Sequence, residues 1–258
     1  MRLMKRILSA AAVLALSASL LVGCSSGTAS SVPVSASSAA ESTVSSVEET
    51  ASSAVDENEA AAAQLLNDLT GSYQELWPVI LADEYKQTWL DDCTALVGED
   101  NAEAAFEKLS SMVTGDVYGE DAVKAYANGG GAYFCGFTNS LAILTFDGET
   151  STISGTDKDG NVLFSHTYHY IGMEPVRGLY EFESDDADSG EFTYFFLAPD
   201  TSAETYHIEF RYGSDAEALS QYDAGEYAYW VASGISTDCD QTMIDNCIKL
   251  FCTENLAG

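Results

Sequence analysis

The sequence predicts a mainly β protein with flanking helices, its antiparallel strands running as a meander that closes into a small barrel or sandwich. Three observations predict it. Apolar residues at steps of three and four come first, short β-branched and aromatic runs separated by turn signals fill the middle, and helical spacing returns at the C-terminal end. Of the 258 residues, the first 60 have no composition suited to a core, which leaves one domain of roughly 190 residues.

In chain order, Leu66, Leu69, Tyr73, Leu76, Trp77 and Ile80 form an apolar stripe of helical period, interrupted or restarted around Gly71 and Pro78. A second helix is expected from Asn101 to Met112, where Ala105, Phe106, Leu109 and Met112 share a face and Asp100 or Asn101 can cap the start. Gly129-Gly130-Gly131 reads as a flexible join. Strands are then expected at Tyr133–Phe137, Leu141–Phe146, Thr150–Ser154, Val162–Tyr170, Gly178–Glu183, Phe192–Leu197 and Tyr206–Tyr212. Thr138-Asn139-Ser140, Asp147-Gly148, Asp159-Gly160 and Asp185–Gly190 have hairpin chemistry. Ala216–Tyr222 and Asp240–Cys252 are the closing helices.

Residues 1–23 have the build of an export signal. A basic start, Met1 to Arg6, precedes an apolar stretch to Val22, and Leu21-Val22-Gly23-Cys24 resembles the bacterial lipobox, whose cysteine is acylated and becomes the new N-terminus. Cys24 is therefore the expected lipidation site and the outer face of the cell membrane the expected location. Residues 24–60 are mostly Ser, Ala, Thr, Val and Glu with no aromatic residue, the composition of a disordered tether that lifts residues 61–258 on the order of 30 Å from the lipid.

Ten basic residues against 41 acidic ones give a net charge of −31. Removing the leader takes away Arg2, Lys5 and Arg6, and the remaining seven are scattered singly. Binding nucleic acid or an anionic lipid surface needs clustered Lys and Arg, so those partners are excluded; membrane contact runs through the N-terminal lipid only. The field of such a chain concentrates cations. No Gly-x-Ser-x-Gly, His-Glu-x-x-His or phosphate-cradling loop is present, and the expectation is a protein that is not an enzyme.

Leu69-Thr70-Gly71-Ser72-Tyr73-Gln74-Glu75-Leu76-Trp77-Pro78-Val79-Ile80-Leu81, Val176–Phe182, Phe196-Leu197-Ala198-Pro199, Tyr206–Phe210 and Gly213–Ser220 follow one another in an order and spacing that resembles the ZinT/YodA family. The resemblance spans about Leu65 to Cys252. It implies a calycin, or lipocalin-like, β-barrel with flanking helices, zinc or another divalent ion bound outside the cytoplasm, and a metal-uptake transporter as partner. The three histidines that hold zinc in the family fall on Phe195, Thr205 and His207, so only His207 is kept. One imidazole does not hold zinc, which takes three or four donors at about 2.0–2.3 Å.

Other donors can rebuild a site. Thr205, His207, Glu209 and Arg211 share one face of a strand, and Tyr206, Ile208, Phe210 and Tyr212 the other. If the first face lines the lumen, His207 and Glu209 stand there together, and His166 or His169, which a strand points to opposite sides, adds a third donor. Arg211 competes by pairing with Glu209. Five cysteines, Cys93, Cys135, Cys239, Cys247 and Cys252, follow Cys24; disulfides are expected outside the cytoplasm, one thiol is left over, and the pairing is open. Asp185-Asp186-Ala187-Asp188 reads as a solvated hairpin tip. The alternative to metal binding is a metal-free barrel with an aromatic lumen (Tyr133, Phe134, Phe137, Tyr168, Tyr194, Phe195, Phe196, Tyr206) for a small apolar or peptide ligand, or a surface interaction module with a solid core.

Overall fold

In the computed structural model the described residues are 57–127, 131–198, 205 and 207–257. The export signal, Cys24, most of the tether and Tyr206 lie outside them. A helix α1 over 57–68 buries Ala62, Leu65 and Leu66. Then come β1 (Gly71–Glu75), α2 (Leu76–Ile80), α3 (Lys86–Val97), α4 (Glu99–Val113) and α5 (Glu120–Ala127). The meander follows as β2 (Ile143–Asp147), β3 (Thr152–Thr156), β4 (Val162–Met173), β5 (Tyr180–Ser184), β6 (Tyr194–Leu197) and β7 (His207–Gly213). The chain ends with α6 (Ala216–Leu219), β8 (Ala232–Ser236) and α7 (Gln241–Leu256).

Each strand pairs antiparallel with the next, and β1 pairs with β8, so the sheet is a closed eight-stranded barrel. This is the small closed antiparallel barrel with flanking helices that the sequence predicts. Its membership differs. The stripe from Leu66 to Ile80 is not one helix: at Gly71, with φ +144°, the backbone leaves helical geometry, and Ser72 and Tyr73 hydrogen-bond across to β2 while Tyr73 to Glu75 pair with β8. Cross-strand pairing overrides a periodicity that is itself helical. Tyr133–Phe137 is not a strand of the barrel; only isolated bridges join Phe134 to Thr114 and Trp230.

Two cores result. Phe146, Ile153, Phe164, Tyr168, Phe182, Phe195, Phe210 and Tyr212 fill the lumen, each 5% exposed or less. Leu76, Trp77, Ile80, Trp89, Leu109, Ile248 and Phe251 form the second core between the outer wall at β8 and the layer made by α2, α3, α4 and α7. Asp240 caps α7 by accepting from Met243 N at 3.0 Å. Among the described residues no helix is long and apolar enough to cross a membrane.

The Asp147-Gly148 turn does more than reverse the chain. Gly148 lies against the end of α1, where an added Cβ would meet Asn67 Cα at 2.4 Å and Leu66 O at 2.6 Å. Because both obstacles are backbone, neither can rotate away. Gly148→Ala is expected to destabilise the domain by about 2 kcal/mol in urea denaturation through overpacking alone; an unchanged midpoint would mean that α1 does not bear on this hairpin.

Candidate functional site

Strand β7 alternates faces as expected, but the lumen takes the opposite set from the one expected to carry ligands. Ile208 and Phe210 lie opposite Gly234 and Ala232 of β8 and pack with the lumen aromatics. His207 and Glu209 lie opposite Ile235 and Ser233, on the outer wall beneath the helices. The correction has a simple cause: the apolar residues Ile208 and Phe210 are the buried ones and take the interior, while His207 and Glu209 stay half-buried on the outside.

On that outer face His207 Nδ1 meets Thr205 Oγ1 at 2.7 Å. Cys247 of α7 donates its thiol to Thr205 O at 3.1 Å, and burial pushes that thiol up to about 12. His207, Glu209, Cys247, Phe251 and Glu254 line one cavity with Leu76, Trp77 and Ile80, about 30 Å³ in volume, room for roughly two waters. Glu209 also lines a second cavity of about 30 Å³, with Cys135, Ser233, Trp77, Tyr133 and Arg177. There burial, reinforced by the Glu209 charge, holds the Cys135 thiol far above its ordinary range.

Arg211, the last of this row, is fully buried. Its guanidinium donates to the carbonyls of Leu219, Gln221 and Tyr227 and lies 4.4 Å from the centre of the Tyr222 ring, whose other neighbour is Arg177 at 4.0 Å. Desolvation lowers its pKa to about 10, which leaves it charged at neutral pH. The surface ion-paired row expected from the sequence is replaced by a cation that organises the loop after β7.

His166 and His169 point to opposite sides of β4, as expected, but each is held elsewhere. His166 Nδ1 lies 2.7 Å from Asp186 Oδ2, and His169 Nδ1 lies 2.7 Å from Asp185 Oδ1. With β5 and β6 between β4 and β7, neither histidine joins His207 and Glu209. The aspartates of the hairpin tip thus serve as partners of the two β4 histidines. Among the described residues no group of three His, Cys, Asp or Glu side chains stands close enough to hold a metal ion.

The positions carried over from the family resemblance also separate. Phe195 pairs with Tyr212 on the lumen face, opposite in orientation to Thr205 and His207. The lumen itself is solid: Phe195 packs against Phe164, Tyr168, Phe210 and Tyr212 at 5.3–6.4 Å between ring centres. An aromatic lumen open to an apolar ligand is therefore corrected to a packed core. Tyr133 and Phe134 lie outside the barrel, where Phe134 borders an open cleft of about 330 Å³ with Glu75, Trp77, Pro78, Leu81 and Val113.

Sequence reasoning missed Glu254. The helix expected to stop at Cys252 runs on to Leu256, and Cys247, Phe251 and Glu254, at steps of four and three, line the same cavity. Continuing the period for two more residues would have found it.

The chain is thus a closed barrel with helices packed outside it and a small cavity of mixed lining on its outer wall. No family model matches the chain, and no curated protein matches it. Among solved structures it is similar to the Zn(II)-bound ZinT-like domain of Streptococcus pneumoniae AdcA, at 15% identity and TM-score 0.44, over 70% of this chain and 87% of that one. It is similar also to Zn(II)-bound AdcA from the same organism, at 14% identity and TM-score 0.42, over 72% of this chain but 35% of that longer one. At these values neither likeness says what this chain binds.

Proposed function

We propose that this chain is a lipoprotein, held at the outer face of the cell membrane through Cys24, whose barrel domain takes up zinc or another divalent cation at the cavity between β7 and α7. The observation that carries the reading is that His207, Glu209 and Glu254, an imidazole and two carboxylates, line that one cavity. Contact of Nδ1 with the Thr205 hydroxyl orients the ring on the cavity wall. The acidic surface raises the local cation concentration. Among the described residues no three such groups converge as they stand, so binding requires the half-buried Glu254 side chain to reorient. Delivery to a metal-uptake transporter is the role that such a site would serve.

Calorimetric titration of the chelator-stripped chain with zinc is expected to give a stoichiometry near one, with affinity lowered at least tenfold in His207→Ala and in Glu254→Gln. Absence of heat and of any thermal shift in the unaltered chain would end the proposal. Affinity retained in both variants would move the site elsewhere. A second reading, capture of a small apolar or peptide ligand, is favoured by the cleft bordered by Trp77, Pro78, Leu81 and Phe134; it predicts a change in tryptophan emission with such a ligand and none with zinc.

A further inference from the structure

We propose that Cys93 and Cys252 form a disulfide that fastens α3 to α7. Their sulfurs lie 3.9 Å apart, unbonded, and both residues are fully buried in the second core. A disulfide needs about 2.05 Å between sulfurs, so pairing asks the two sulfurs to approach by about 2 Å. The other described thiols are occupied differently. Cys247 faces Thr205 O, Cys135 is enclosed in the cavity with Ser233 and Trp77, and Cys239 sits half-buried before the start of α7. The pairing that the sequence leaves open is thereby assigned by proximity.

The chemistry is thiol–disulfide exchange with a small-molecule or protein disulfide as oxidant. One thiolate attacks the oxidant's S–S bond and releases one of its thiols; the second thiolate then attacks the mixed disulfide and releases the other. Two protons leave Cys93 and Cys252, two electrons pass to the oxidant, and one S–S bond forms for the one broken. Burial raises both thiols above their ordinary range in the folded chain, so exchange takes place while α7 is loosened from α3. Once made, the bond joins residues 159 positions apart and encloses every strand of the barrel except β1.

An oxidising compartment follows from the export reading, but the test brings its own oxidant, so the two fail separately. The purified full chain is incubated in a glutathione redox buffer at sub-denaturing urea, alkylated in denaturant without reductant, and mapped by peptide mass spectrometry. The expected result is a linked Cys93–Cys252 peptide, alkylation of Cys135, Cys239 and Cys247, and a melting temperature about 10 °C higher than that of the reduced chain. Cys93→Ser is expected to leave Cys252 alkylated and to abolish the thermal gain. Alkylation of both Cys93 and Cys252 in the oxidised sample, or linkage of Cys252 to Cys239 or Cys247, would overturn the proposal.

Discussion

Arg211→Ala is expected to lower unfolding stability by about 4 kcal/mol, read as a fall of roughly 10 °C in melting temperature. The side chain is fully buried and donates to three backbone carbonyls in the segment between β7 and β8, at Leu219, Gln221 and Tyr227. Removing it takes the donor from those oxygens, of which those of Leu219 and Tyr227 sit at buried residues, and takes away one of the two cations against the Tyr222 ring. Arg211→Lys is expected to recover little, because one ammonium does not reach three divergent carbonyls as a planar fork does. A loss below about 1 kcal/mol for Arg211→Ala would mean that water takes over those carbonyls.

Phe195→His is expected to cost about 4 kcal/mol and to bring no gain in zinc affinity. The substitution restores the residue type implied by the family resemblance but sets an imidazole among four aromatic rings in the lumen, on the far side of the wall from His207. Thr205→His lies on the outer face and adds a donor beside His207. The double variant is therefore expected to bind zinc no more tightly than Thr205→His alone while melting at a markedly lower temperature. A double variant with tighter binding than the single one would show that the lumen side of β6 and the outer side of β7 are not separated as described.

The strands from β2 to β7 were legible because their apolar and aromatic runs are bounded by turn residues. Two barrel strands were not. β1 carries Tyr73 within a run of helical spacing and becomes a strand only because β2 and β8 offer it partners on both sides. β8, Ala232-Ser233-Gly234-Ile235-Ser236, is too small in its side chains to announce itself; an added Cβ at Gly234 would stand 3.1 Å from the Ile208 side chain, which would have to shift to admit it. Tyr133–Phe137 misled in the other direction. Its composition is that of a strand, yet its amides go to Met112 O, Tyr229 O and the Glu75 carboxylate. In the site, the shared face of His207 and Glu209 was legible from a period of two. The apolar set Ile208, Phe210 and Tyr212 was legible as the core face and does fill the lumen; only the expectation that ligands of a small barrel face inward put His207 and Glu209 there.

Closure by the first and last strands sets a condition on biogenesis. A polypeptide emerging from the ribosome exposes one flank of β1 until Ala232 to Ser236 have been synthesised, so the ring cannot be sealed from any shorter nascent chain. A premature stop between β7 and β8 thus leaves a seven-stranded open sheet with two unpaired margins, a product for proteases and aggregation and not a smaller working domain.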